Sequence, residues 1–210
     1  MLRERRAKMT SLPSLKEVFI NLNNRPACCT TRNALMWGVA WIIVSTIGGW
    51  HFHLAPTSAL GYDLYGYMPL LWHLVINSVQ AILFTLPFIV VVLILNHKAS
   101  ISETFSRVLF AHWPATLLLL PAIFVSGNQY ALLTNNLRVA FESDATAATL
   151  FALLLVVVVV WIVRWVYVAF RKVTPRMGYV TLMLFGVALV VATVATDWVL
   201  HVIYGVIYGL

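Results

Sequence analysis

The sequence predicts an all-α integral membrane protein with five spanning helices and one short amphipathic helix ahead of them. Three observations carry this. Of the 210 residues, 61% are hydrophobic and 10% are charged, against roughly 25% charged in soluble domains. The mean hydropathy is +0.89. Five separate apolar stretches approach or exceed the ~20 residues that cross a bilayer as a helix. This composition excludes a water-soluble enzyme. The net charge of +7 does not point to nucleic acid, because the basic residues sit at the ends of the apolar runs, as in membrane proteins.

Residues 1–33 form a basic segment expected in the cytoplasm. Within it, residues 14–23 have helical periodicity: Ser14 and Glu17 have capping-box spacing. Leu15, Val18, Phe19 and Leu22 fall on one face, and Asn23, Asn24 and Pro26 end the pattern. A short apolar face among cations predicts a helix lying on the leaflet surface, in contact with anionic lipid, or docked on another protein. No early apolar core with a small-residue cleavage site is visible, so the first apolar stretch is expected to stay as a span. Cys28 and Cys29 are adjacent. They form neither a disulfide framework nor a spaced metal motif, and beside a membrane they are inert thiols or acylation sites.

The membrane domain is residues 34–210, with spans expected at about 35–54, 68–96, 108–126, 146–170 and 178–200. The second holds Pro87 and would reach about 43 Å as a helix, so it must tilt, kink or begin on the surface. The third carries Pro114 and Pro121, and the fourth the run VVVVVW. Residues 178–210 as one helix would measure about 50 Å, which predicts a break or interfacial turn after Asp197. Tyr204 and Tyr208 in the tail VIYGVIYG suit a headgroup-level belt.

Orientation follows from Lys and Arg. The N-terminal segment holds Arg3, Arg5, Arg6, Lys8, Lys16, Arg25 and Arg32. The second connection holds Lys98 and Arg107, and the fourth Arg171, Lys172 and Arg176. The first connection, 55–67, has neither residue type, and the third has only Arg138 beside Glu142 and Asp144. The alternation places the N-terminus inside and the C-terminus outside, with a bacterial inner membrane as the expected location. Arg164, near the inner end of the fourth span, can snorkel to the interface.

Two groups of polar residues stand out. At the end of the first span, GWHFHLAP carries His51 and His53. Positions i and i+2 of a helix point about 200° apart, so the two cannot grip one ion from a regular helix and read as interfacial anchors. The second group is an intramembrane constellation. His73, Asn77 and Gln80 lie at i, i+4 and i+7 of span two, and Thr193, Asp197 and His201 lie at i, i+4 and i+8 of span five. Each set shares one helix face, and both lie in the outer half. Two polar stripes at similar depth are expected to meet, because lipid solvates neither. They would serve as interhelical hydrogen-bond glue, with Asp197 close enough to the outer interface to be solvated, or would relay a proton, bind a cation or ligate a metal. A haem b between His73 and His201 is a further alternative, although no cofactor is expected. His97 and Lys98, with His112, Trp113 and Pro114, read as boundary residues on the inner side, or else as the lining of a shallow cytoplasmic cavity. No nucleophile elbow, phosphate-binding loop, zinc motif or catalytic carboxylate pair is present in the sequence, so an enzyme is not expected.

The amphipathic opening LKEVFINLNNRP, the five spans with the N-terminus inside, and the connection SISETFSRVLFAHWPATLLLLPAI together resemble the Ypt-interacting-protein (Yip) domain family, particularly its small bacterial members. The last segment is similar to the family's pattern of an aromatic, a small residue and a proline, here Phe105, Ala111 and Pro114. Asp63-Leu64-Tyr65-Gly66 resembles a DLYG motif of eukaryotic members, but there the motif precedes the first span and here it follows it. The resemblance implies a non-enzymatic membrane protein that organises protein or lipid partners, and it supplies no catalytic residues. The alternatives are a small ion- or proton-coupled transport or cofactor-bearing subunit, or an accessory subunit of a larger membrane complex. Expected partners are membrane lipids and either a membrane protein or further copies of the chain.

Overall fold

A computed structural model describes residues 29–56, 62–64, 68–121, 144–174 and 178–208. The surface helix expected at 14–23, with Leu15, Val18, Phe19 and Leu22, lies outside the described residues.

Helix α1 is Thr31–Phe52. Thr30 caps it by accepting from the Asn33 N–H at 3.3 Å. It ends at His53, whose left-handed backbone (φ 56°) turns the chain out of the helix. Strand β1, Leu54–Pro56, then pairs antiparallel with β2, Tyr62–Leu64, in the register Leu54 to Leu64. Helix α2 is Leu70–Leu95, with Pro87 inside it. Helix α3, Ile101–Phe110, is capped by Ser100, which accepts from the Glu103 N–H. One turn on, Glu103 pairs with Arg107 at 2.9 Å. A 3₁₀ segment, Trp113–Leu119, follows. Helix α4 is Ala145–Val173, started by the Asp144 carboxylate, which accepts from the N–H groups of Thr146 and Ala147. Helix α5 is Tyr179–Tyr208.

Four of these helices, α1, α2, α4 and α5, are long and apolar enough to cross a membrane. The region expected as a continuous third span, 108–126, has a different form. The helix begins seven residues earlier, at the Ser100 cap, and stops at Phe110. Pro114 explains the stop: it has no N–H to donate, and its ring clashes with the carbonyl four residues back. The chain turns at Ala111 and His112 and continues as 3₁₀ helix. Residues 122–126 lie outside the described residues.

The second correction concerns α5, which runs unbroken past Asp197 to Tyr208, about 45 Å. Burial holds its last turns in place: Leu200 and Tyr204 pack with Ala55, Met68 and Ile76. The Tyr204 hydroxyl donates to the Pro56 carbonyl at 2.7 Å. No proline or helix-breaking run interrupts residues 198–208.

α1 meets its neighbours through Ala34, Gly38, Trp41, Ser45, Thr46 and Gly49, a largely small-residue stripe that lets helices approach closely. At Gly38 a Cβ would fall 2.5 Å from Cγ of Leu109, so α3 lies directly against it. At the end of the bundle away from the hairpin, Phe88, Phe170 and Phe185 form an aromatic cluster joining α2, α4 and α5. α2 and α5 run antiparallel side by side, with Phe88 against Phe185 at one end and Ile76 near Leu200 at the other.

Candidate intramembrane polar site

The face of α2 that carries His73, Asn77 and Gln80 is buried completely. It packs on α1. The Asn77 side-chain amide donates to the His73 carbonyl at 2.8 Å and, at the outer limit of a hydrogen bond, to Thr46 Oγ1 at 3.5 Å. The His73 ring fits because residue 49 is glycine. A Cβ there would lie 3.3 Å from Nδ1 of His73 and 2.5 Å from the Leu54 carbonyl oxygen.

This α1–α2 seam holds several buried polar atoms with no hydrogen-bond partner among the described residues: both ring nitrogens of His73, Oδ1 of Asn77 and Oγ of Ser45. Buried polar atoms are nearly always paired, so such a group in one place requires a reason. Thr46 also lines an open apolar groove of about 380 Å³ between α1 and α2, with Ile43, Ile47, Leu70, Leu71 and Leu74. The seam therefore reaches the surface of the bundle at Thr46.

About one and a half turns back along α1, Trp41 is buried with its indole N–H unpaired among the described residues. Its ring lies 4.9 Å from that of His112, a second fully buried histidine. His112 Nδ1 donates to the Val108 carbonyl at 3.1 Å, its Nε2 has no partner among the described residues, and Phe84 meets the ring edge-to-face at 4.3 Å. The boundary role expected for His112 is thus corrected, because the end of the helix before Pro114 folds it in among α1 and α2. Its ring partner Trp41 lies 71 positions earlier, so the local signals are only those of the break itself, Pro114 and the capping pair Ser100 and Glu103 that starts α3 early.

The stripe on α5 faces elsewhere. The helix buries Thr181, Phe185, Ala188, Ala192, Thr196, Leu200 and Tyr204. Asp197 and His201 are exposed, and half-buried Thr193 spends its hydroxyl on the Leu189 carbonyl at 2.9 Å. The structure therefore does not join the α2 and α5 stripes and does not bring His73 and His201 together. Adjacent positions on a helix differ by 100°, and the neighbouring ridge won the core because it carries Leu200 and Tyr204. Along α5, exposed apolar residues flank Asp197 on both sides, from Val187, Val190 and Val194 to Val202 and Val206.

At the hairpin end, His51 is exposed, with its ring edge-on to Phe52, and His53 is the left-handed cap of α1. Among the described residues, no group of three or more His, Cys, Asp or Glu side chains is placed to hold a metal ion. No family model, curated protein or solved structure matches the chain.

Proposed function

We propose that this chain is a non-enzymatic, Yip-like multi-pass membrane protein that acts by association within the bilayer. The observation that supports this best is the exposure of Asp197 and His201 amid apolar surface on α5. An ionisable group on a membrane helix is costly where it meets hydrocarbon, and such groups are found paired or facing other protein. A protein partner on this face supplies the missing environment.

In this reading the N-terminus is cytoplasmic, following the Lys and Arg bias. The connection carrying Lys98 and the last turn of α4, which carries Arg171 and Lys172, then lie on the same side as the N-terminus. That arrangement requires residues between them to cross twice, so α3 and the 3₁₀ segment, about 15 Å and about 14 Å long, supply a broken crossing before α4. The Yip resemblance, in which a proline follows shortly after an aromatic and a small residue, concerns the same segment. The basic N-terminal segment would add contact with anionic lipid.

Purification from native membranes in mild detergent tests the association. The expected result is a stoichiometric assembly, either of copies or with another membrane protein. A lone protomer that stays monomeric and partner-free in native lipid contradicts the reading.

A second reading, a small proton- or ion-coupled subunit, rests on the unpartnered atoms of His73, Asn77 and Ser45. It predicts proton or cation flux in reconstituted vesicles that is lost in His73→Leu. Wild-type vesicles as tight as protein-free ones exclude it.

A further inference from the structure

We propose that the α1–α2 seam holds a file of internal water, entered beside His53, that carries protons from the outer side to the ring of His73. This rests on the second reading above and names its ion, its side of entry and its path.

The seam is one continuous row. On α1, Trp41, Ser45 and Gly49 lie at i, i+4 and i+8 and share a face. The buried face of α2 runs past it in the opposite direction. Gly49 lies against His73, Thr46 meets Asn77, and Trp41 is joined to Phe84 by the His112 ring that touches both. From Gly49 to Trp41 the row is about 12 Å long. Its unpaired atoms are of both kinds. Trp41 can only donate. Asn77 Oδ1 can only accept, as can His112 Nε2, because Nδ1 already donates to Val108. The Ser45 hydroxyl and the His73 ring can do both. A metal cation would leave the donors unsatisfied and an anion the acceptors. Water serves each in turn, and buried water is found bridging such groups.

The chemistry of the row selects the proton. Neither α1 nor α2 contains Asp or Glu, so a hard cation stripped of its hydration would meet no carboxylate. An imidazole takes a proton directly. His73 has both ring nitrogens unpaired among the described residues. A proton arriving on water adds to its bare nitrogen, and the proton on the other nitrogen leaves to the next water, so the ring ends neutral. His112 cannot repeat this step, because its Nδ1–H is held by a carbonyl that takes no proton on; the file ends there. The entrance is at the hairpin end, which the Lys and Arg bias turns outward. His53 is exposed there and close enough for its charge to act on His73. The groove that reaches Thr46 admits no water, because the residues around Thr46 in it are all Ile or Leu.

The test uses the full chain in native membrane vesicles of known sidedness, with Cys28 and Cys29 changed to serine and one cysteine introduced on α1. Silver ion is the probe, since it travels in water and combines with a thiol where the thiol can lose its proton. The readout is the thiol protected from later alkylation, measured by mass. Ser45→Cys, at a site with 0% exposure, is expected to react from the outer side roughly ten-fold faster than Val44→Cys and Ile47→Cys, whose sites are 42% and 54% exposed on the apolar surface of the bundle. His73→Leu added to Ser45→Cys should slow the reaction to the rate of that pair, and His73→Gln should not. The proposal is overturned if Ser45→Cys reacts no faster than the pair, reacts equally from the inner side, or ignores His73→Leu. Proton flux in reconstituted vesicles separates it from the reading beneath it. Fast outer labelling in vesicles as tight to protons as protein-free ones keeps the water file and removes the coupled subunit. Flux that His73→Leu abolishes, without labelling of Ser45→Cys, keeps the subunit and removes the file. With neither labelling nor flux, both fall.

Discussion

The hydroxyl of Tyr204 donates to the carbonyl of Pro56 at 2.7 Å, across 148 positions of sequence. It ties the last turns of α5 to the strand that follows α1. Tyr204 and its neighbour Leu200 are buried against Ala55, Met68 and Ile76, so the bond closes a small apolar cluster at the hairpin end. This contact orients α5. With Tyr204 turned inward, Asp197 and His201 are left on the outer side.

Tyr204→Phe keeps the ring and removes the donor. The expected loss is about 1 kcal/mol, the usual net worth of such a bond. Amide hydrogen exchange in residues 199–208 should rise relative to residues 181–192 of the same helix. An unchanged exchange pattern would mean that ring packing alone holds the end.

Gly49→Ala should destabilise the chain by about 1–3 kcal/mol, because the new methyl meets the Leu54 carbonyl oxygen and the His73 ring. Gly186→Ala meets nothing and gains helix propensity, so its melting temperature should stay level or rise. Thermal unfolding in detergent, diluted to the single protomer, checks the contrast; equal losses at the two sites would refute the α1–α2 approach.

Gly38→Ala differs in kind, since the obstacle is the side chain of Leu109. Shortening that side chain relieves the clash. In a double-mutant cycle, Gly38→Ala with Leu109→Ala should cost less than the sum of the singles by about 0.5–3 kcal/mol. Strict additivity would show that α1 and α3 are not in contact there.

His73→Leu should change stability by less than about 1 kcal/mol, because neither ring nitrogen has a described partner to lose. Asn77→Leu breaks the link to Thr46 and should cost about 0.6–1.7 kcal/mol, the range for interhelical hydrogen bonds in membranes. Unfolding in denaturant series for both variants decides it; a large loss at His73 would reveal a structural partner for the ring.

The sequence made the α2 stripe legible: His73, Asn77 and Gln80 share a face, and that whole face is buried. The same spacing on α5 misled, since Thr196 and Asp197 are neighbours and periodicity cannot say which of two adjacent ridges meets the core. The buried ridge is the one that packs Phe185 on Phe88 at one end and Leu200 and Tyr204 on Ala55, Met68 and Ile76 at the other, all far away in sequence. The broken third segment had a local cause in Pro114 and the Ser100 cap, but hydropathy averages over both. His112 was hidden for the same reason, and because its ring partners, Trp41 and Phe84, belong to other helices.

The most direct test of the account is the mass of the assembly that this chain forms when extracted from its native membrane in lipid nanodiscs and weighed by native mass spectrometry. The account predicts a fixed assembly, either of copies or with another membrane protein, and dissociation in Asp197→Ala. A wild-type species with the mass of one chain and no bound protein would contradict it.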